Sequence, residues 1–164
     1  MTTALTTPHL ALSRMHAPTL HTLRDAVAAN VERMRTATES RIMAVVKADG
    51  YGLGAVAVAL AAIDAGAEWL GVTDAGDAAE LRDAGIEVPI LAWLNPAGVD
   101  VTQVVADRVD IAVGSVDELR QLITDASSLP DGRVRVHLHM DTGMSRGGVP
   151  VSYTHLRAHE TSLH

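Results

Sequence analysis

The stretch MAVVKADGYGLG, residues 43–54, takes four apolar residues into a lysine and then into a glycine-rich turn. A short apolar run with β-branched residues is typical of a strand that is covered on both faces of a parallel sheet. We therefore predict a strand over 42–47 that ends on Lys47. Enzymes with α/β folds place their chemistry at the carboxyl ends of strands, where a desolvated lysine becomes a better nucleophile. Lys47 is the first candidate functional residue; the alternative is a lysine that only carries its charge out into solvent.

Four further apolar runs follow the first, each separated from the one before by enough residues for one helix. They predict strands over 69–73, 88–93, 109–113 and 134–140. A helix is predicted ahead of the first strand, over 19–35, where apolar residues recur at spacings of three and four: Leu20, Leu23, Val27, Val31 and Met34. This alternation predicts an α/β fold with a parallel sheet. Periodicity by itself leaves open whether the sheet stays open or closes into a barrel.

Two repeated segments and one short motif predict where helices end and begin. In DAGAEWLGV and DAGIEVPIL, a helix is expected to end on a left-handed glycine, Gly66 or Gly85, before a strand follows. Ser115 and Glu118 have the spacing of a capping box, which predicts a helix that runs to about Thr124.

Composition narrows the class of protein. The chain has 164 residues, of which 48% are hydrophobic and 20% charged, which is typical of one globular domain or part of one. A net charge of −7 without a basic run argues against nucleic acid as a partner. The absence of cysteine fits a reducing compartment, and the longest apolar stretch, 55–63, is too short to span a bilayer. With no signal-peptide pattern at Met1, we expect a cytoplasmic protein that does not bind membranes.

One motif favours an open sheet instead of a barrel. Gly52-x-Gly54-x-x-Ala57 matches a dinucleotide-binding fingerprint, with Asp74 about twenty residues further on. The fingerprint glycines should lie in the tight turn at the end of the strand, whereas here four residues separate them from Lys47. An NAD-binding Rossmann domain is therefore kept as the less favoured alternative.

The segment HLHMD, residues 137–141, is a candidate metal site. His137 and His139 lie two residues apart on a predicted strand and so face the same side. No further set of ligands is visible downstream, and paired histidines on strands are more often packed or solvated. We predict no metal.

Two motifs resemble those of a known family. AVVKADGYGLGA is similar to the segment in alanine racemases that carries the pyridoxal-phosphate lysine, followed by Tyr-Gly-x-Gly. About a hundred residues later, MDTGMSRGG, residues 140–148, resembles the same family's Asp-[ST]-Gly-Met-x-Arg segment. The resemblance covers about residues 10–150. It implies a (β/α)₈ TIM-type barrel, of which about five of the eight β/α units are recognisable here.

The resemblance also implies roles for individual residues. Lys47 would hold pyridoxal 5'-phosphate covalently and act as one of two acid/base groups at the substrate Cα. Tyr51 would contact the cofactor phosphate, Arg146 would donate to its phenolic oxygen, and Trp93 would line its pocket. Many members have a lysine seven residues before the arginine, where this chain has His139, so the role of that position is open.

At the level of the whole protein, the resemblance implies a cytoplasmic homodimer that interconverts L- and D-alanine for peptidoglycan precursors. Residues 1–150 would form the N-terminal part of the barrel, while 151–164 look non-native and the family's C-terminal β-domain is missing. The chain is accordingly expected to be an inactive fragment. The alternative implied by the same barrel type is a non-catalytic, single-domain protein that binds pyridoxal phosphate in cofactor homeostasis.

Overall fold

The computed structural model describes residues 24–130 and 132–151. The predictions made for Leu20, Leu23 and residues 152–164 lie outside this part of the chain. The helices are α1 (Arg24–Ala37), α2 (Lys47–Gly52), α3 (Ala55–Asp64), α4 (Ala75–Asp83), α5 (Val101–Ala106) and α6 (Val116–Ser127). The strands are β1 (Met43–Val45), β2 (Trp69–Val72), β3 (Ile90–Ala92), β4 (Val109–Val113), β5 (Val136–Leu138), β6 (Met140–Asp141) and β7 (Val149–Pro150).

The order of the strands is the one expected in a barrel and differs from that of a doubly wound sheet. Strands β1 to β5 are all parallel and lie side by side in chain order, with a helix between each pair. A doubly wound sheet reverses its strand order at a switch point, and no reversal occurs within the described sheet. The Rossmann alternative is therefore wrong. The chain has the α/β fold of a partial (β/α)₈ TIM-type barrel with five of its strands described, as predicted.

The sheet packs its outer face against the helices, and this layer is the core. Alternate residues of the strands point to it and are buried: Val46, Leu70, Val72, Ile90, Ala92, Val109, Ile111 and Val113. Helix α3 contributes Ala55 and Ala59, whose small side chains let the helix lie close to the sheet. The predicted strand 109–113 agrees residue for residue with β4. Within the described residues, no helix is both long and apolar enough to cross a membrane.

Two strands are shorter than predicted: 42–47 is observed as β1, Met43–Val45, so that Lys47 lies just beyond the strand, and 88–93 is observed as β3, Ile90–Ala92. Three further local predictions need correction. Met34 was expected on the buried face of α1, but it is exposed, because α1 packs through Val31 against Ala62 of α3 and Ala67 ahead of β2. Strand β5 is shorter than the predicted 134–140, since the chain turns after His139 into the short β6–β7 pair. The last helix continues past Thr124 to Ser127.

The predicted helix ends are largely confirmed. Gly66 and Gly85 both have positive φ, 98° and 81°. The Ser115 hydroxyl accepts a hydrogen bond from the Glu118 N–H at 3.1 Å, as a capping box requires. The Glu118 carboxylate, however, accepts from the Gly114 N–H at 2.7 Å and not from Ser115, so only half of the box is formed.

Arg82 on α4 joins two turns at the amino ends of the strands. Its guanidinium donates to the carbonyls of Ile86 and Val88 ahead of β3, at 2.6 and 2.9 Å, and to those of Asp107 and Arg108 ahead of β4, at 2.7 and 3.3 Å. Burial, and then the nearby charge of Arg108, lower the pKa of Arg82. One side chain thus provides partners for four carbonyls outside the strand ladder.

Replacing Arg82 by methionine should destabilise the fold, because four carbonyls lose their donor while most of the side-chain volume is kept. We expect the free energy of unfolding to fall by about 3 kcal/mol. The matched control is Arg120→Met, since Arg120 is exposed on α6 and pairs with exposed Asp117 at 3.3 Å; it should change the free energy by less than about 0.5 kcal/mol. Urea titrations of the two variants measure the difference, and equal midpoints would contradict the role given to Arg82.

Candidate functional site

Lys47 lies where the chain leaves strand β1. The N–H of Val46 still donates to the Gly71 carbonyl of β2 at 2.9 Å, so the parallel pairing extends up to this residue. Val46 is buried against the helices, and Lys47, the next residue, is half-buried at the carboxyl end of the sheet. Lys47 is also the only lysine in the sequence. The position is the one at which barrel enzymes place functional groups.

The residues after Lys47 form a left-handed helical turn. Ala48, Asp49, Gly50 and Tyr51 have φ between 52° and 60° and ψ between 35° and 49°. For residues other than glycine, this conformation costs roughly 1–2 kcal/mol each. The sequence predicted a turn here but not its handedness. Strain of this kind concentrates at functional sites, which makes the turn part of the candidate site.

Tyr51 is placed on the surface by this turn. Its side chain is 66% exposed, and its hydroxyl makes no hydrogen bond within the described part of the chain. Gly52 and Gly54, which follow, have φ of 81° and 91° and lead into α3. The phenol is therefore available at the same end of the sheet as Lys47.

A cavity of about 450 Å³ lies between the loop after β3, strand β4, helix α6 and the loop that carries Arg146. Trp93, which follows β3, and Arg146, on the loop after β6, both line it, as does His139 after β5. The structure thus brings together two of the four predicted site residues. Lys47 and Tyr51 do not line this cavity; they follow β1, which is two strands away from β3 in the sheet.

The Trp93 side chain packs against β2, the neighbour of the strand that leads to Lys47. It lies over Gly71 in the middle of β2, so closely that a Cβ atom on Gly71 would come within 2.6 Å of Trp93 Cη2 and 3.2 Å of Met43 Sδ. Gly71 pairs with Val45 of β1, two residues before Lys47. Sequence reasoning missed Gly71, although a glycine inside a strand is a signal of close approach.

Asn95 holds the loop that follows Trp93. Its side-chain oxygen accepts from the Ala75 N–H at the start of α4, at 3.1 Å, and its amide donates to the Ala92 carbonyl at 3.0 Å. These bonds tie the loop after β3 to the preceding β/α unit. Asn95 was not singled out from the sequence, where nothing distinguishes it from an ordinary loop asparagine.

The loop that carries Arg146 is organised by Asp141. The Asp141 carboxylate accepts hydrogen bonds from the backbone N–H groups of Gly143 and Ser145, at 2.9 and 3.0 Å. These bonds, with Ser145 contributing most, lower the pKa of Asp141. The carboxylate therefore stays charged at neutral pH, and its hold on the loop is lost only as the pH falls through this lowered value.

The same loop returns to the sheet through two glycines. The Val149 N–H donates to the His139 carbonyl at 2.8 Å, and Gly148, with φ of 103°, lies against the backbone of Gly114. A Cβ on Gly148 would come within 2.8 Å of the Asp141 nitrogen, and one on Gly114 within 2.9 Å of the Gly148 nitrogen. The loop that carries Arg146 therefore packs backbone to backbone against the end of β4 and the start of β6, with no side chain between them.

Gly148→Ala should open this loop, because alanine is strained at this φ and its methyl group would overlap backbone atoms that cannot rotate away. We expect a loss of about 2 kcal/mol in the free energy of unfolding. Gly147→Ala is the matched control, since its φ is outside the left-handed region and its nearest contact would be His139 Cε1 at 3.9 Å; it should leave stability unchanged or slightly raised. Thermal unfolding of both variants tests this, and similar losses in the two would refute it.

A charged cluster on the inner face of the sheet was also missed. Asp110 of β4, only 3% exposed, accepts hydrogen bonds from Arg135 Nε and His137 Nε2, both at 2.7 Å. The Arg135 guanidinium and the His137 ring in turn contact Trp69, at 5.0 and 5.8 Å between centres. The pair of histidines is therefore divided between this cluster and the cavity. The signal available was a carboxylate inside the apolar run 109–113.

Comparisons with known proteins agree with the geometry. The family model described as "Alanine racemase, N-terminal domain" matches residues 23–161. Proteins named alanine racemase from Salinispora tropica and Thermobifida fusca are 44% and 42% identical over 128 and 126 residues, which is 78% and 76% of this chain but 34% and 33% of theirs.

Solved structures of alanine racemases also superpose on this chain. The alanine racemase of Streptomyces lavendulae superposes with a TM-score of 0.75 at 37% identity, covering 85% of this chain and 37% of that one. The enzyme from E. faecalis superposes with a TM-score of 0.73 at 31% identity, covering 84% and 38%. The chain therefore spans about a third of the length of the relatives that it matches.

Proposed function

Because the chain belongs to the alanine racemase N-terminal domain family, we propose that it carries the lysine side of the active site of a pyridoxal-phosphate-dependent alanine racemase. The reaction is the interconversion of L- and D-alanine, which supplies D-alanine for peptidoglycan precursors. The observation that carries the proposal is Lys47, the chain's single lysine, at the carboxyl end of β1 and at the start of a strained left-handed turn.

The donor groups at this edge of the sheet fit pyridoxal phosphate. The cofactor has an aldehyde, a phosphate, a phenolic oxygen and a flat ring. The chain offers an amine at Lys47, an exposed phenol at Tyr51, a guanidinium at Arg146 and an indole ring at Trp93. When bound, the cofactor withdraws electrons from the substrate Cα and so spreads the charge that develops there.

Each residue is given one task in this proposal. Lys47 binds the cofactor through its amine and moves a proton to or from the substrate Cα on one face. Tyr51 donates its hydroxyl hydrogen to the phosphate. Arg146, whose charge is permanent, donates to the phenolic oxygen, and Trp93 excludes water from the ring. Racemisation also needs an acid/base group on the opposite face, which is not assigned to any residue here.

The test of the proposal is a chimera. The 128-residue segment of the Salinispora tropica racemase that matches this chain is replaced by the corresponding segment of this chain, and D-alanine formation from L-alanine is measured. We expect racemisation with Lys47 present and none with Lys47→Ala. A folded, cofactor-loaded chimera that does not racemise would favour the non-catalytic binding protein. Cytoplasmic localisation, the homodimer, the domain boundaries and the inactivity of the 164-residue chain stay predictions.

A further inference from the structure

Asp49 lies in the left-handed turn, two residues after Lys47, and links the turn to the next helix. Its carboxylate Oδ1 accepts a hydrogen bond from the N–H of Ala55, the first residue of α3, at 2.8 Å. Its backbone carbonyl accepts from the Gly54 N–H at 2.9 Å. The N-cap residue of α3 is Gly54, which has no side chain with which to cap the helix. Asp49 therefore provides the capping carboxylate from six residues upstream of Ala55, inside the strained segment.

The turn is attached to the fold at both ends. On the strand side, the Gly50 N–H donates to the Val46 carbonyl at 2.9 Å. Gly50 is also buried, and a Cβ there would lie 3.2 Å from the Val58 side chain of α3. On the helix side, the attachment is the carboxylate of Asp49. Because the left-handed conformation is unfavourable for alanine, aspartate and tyrosine, the turn needs such attachments to persist.

We propose that Asp49 is a positioning residue, whose carboxylate holds the left-handed turn and thereby sets the directions in which Lys47 and Tyr51 point. This inference rests on the proposed function, because its consequence is measured as the reactivity of Lys47 toward the cofactor aldehyde. If the attachment is removed, the turn relaxes toward ordinary backbone conformations, and the amine and the phenol change their positions relative to the sheet.

The experiment compares Asp49→Ala with Asp49→Asn and with a capping control, in the full chain. Asp100→Ala is the control, since Asp100 caps α5 through hydrogen bonds from Thr102 and Gln103, at 2.9 and 3.2 Å, away from Lys47. The rate at which pyridoxal phosphate becomes attached to Lys47 is followed by borohydride trapping at timed intervals. We expect Asp49→Ala to slow attachment at least tenfold, while Asp49→Asn, which keeps an acceptor oxygen, and Asp100→Ala stay within threefold of the unsubstituted chain.

A second substitution tests the physical reason. Ala48→Gly removes strain from the turn, since glycine adopts left-handed conformations without penalty. Combined with Asp49→Ala, it should restore at least half of the lost rate. Two results would overturn the proposal and leave Asp49 as an ordinary cap. One is that Asp100→Ala slows attachment as much as Asp49→Ala does; the other is that Ala48→Gly does not restore the rate lost in Asp49→Ala.

Hydrogen exchange of the peptide covering residues 47–55, measured without cofactor, separates this inference from the proposed function. Asp49→Ala should speed exchange in this peptide at least tenfold, and Asp100→Ala should not change it. If exchange speeds up but no chain attaches the cofactor, the proposed function fails while the role of Asp49 in holding the turn stands. If exchange in the peptide is unchanged by Asp49→Ala, the positioning role is overturned.

Discussion

Lys47→Ala is expected to abolish the covalent attachment of pyridoxal phosphate to this protein. In the unsubstituted chain, borohydride trapping followed by peptide mapping should place the cofactor on Lys47. The physical reason is that Lys47 is the only side-chain amine in the sequence and lies half-buried at a strand end, whereas every other basic residue is an arginine or a histidine. Arginine cannot release its proton and so cannot replace it as a nucleophile.

Lys47→Arg is the matched variant, because it keeps the positive charge and removes only the reactive amine. We expect it to lose attachment as completely as the alanine variant, while its unfolding midpoint stays close to that of the unsubstituted chain. The competing nucleophile is the α-amino group at Met1, which ordinarily has a lower pKa than a lysine. Trapped cofactor on that group in place of Lys47 would remove the central residue of the proposed site.

Arg146→Ala is expected to lower racemisation in the chimera by about 10²–10³-fold. The estimate is that for the loss of one donor directed at a negatively charged oxygen. The racemisation rate of Arg146→Lys should lie between those of Arg146→Ala and the unsubstituted chimera, because a lysine keeps the charge but lacks the planar fork that aligns two N–H groups. The bound cofactor's absorption spectrum should shift in both variants, since its phenolic oxygen loses a fixed donor.

The control for Arg146 is Arg120→Lys, an exposed helix residue outside the cavity. It should leave both the rate and the spectrum unchanged. If the Arg146 variants also leave the rate and the spectrum unchanged, Arg146 is an ordinary solvent-exposed loop residue. The cavity that it lines with Trp93 would then not hold the cofactor. The stability of each variant is measured in parallel, so that an unfolded loop is not mistaken for lost chemistry.

Much of the fold could be predicted from local pattern. Strand β4 was predicted to the residue, since its apolar run is bounded on both sides by residues that end strands. Strand β5 was predicted too long, because apolar residues continue past the point where the chain turns into the β6–β7 pair. Met34 has the helical spacing of a buried residue, yet the part of α3 that α1 contacts does not reach it.

Some residues of the candidate site could be predicted from the sequence, and others could not because their contacts come from other segments. Lys47 was predicted from its position at a strand end, whereas Tyr51, Trp93 and Arg146 were predicted from the resemblance of the motifs. Gly71 and the Asp110 cluster were missed, since each matters only through side chains that come from other strands. Asp49 was missed because its partner, the Ala55 N–H, becomes a neighbour only when the turn is left-handed.

The sequence by itself determined the alternation of strands and helices, the glycine and serine helix ends and the placement of Lys47 at the end of a strand. These depend on hydrophobic period and on hydrogen bonds between residues a few positions apart, which one chain segment carries within itself. Only the tertiary structure decided that the sheet winds in one direction, that residues 48–51 are left-handed, and that Trp93 and Arg146 share a cavity. Each of these depends on contacts with other segments of the chain, whose packing outweighs local preference.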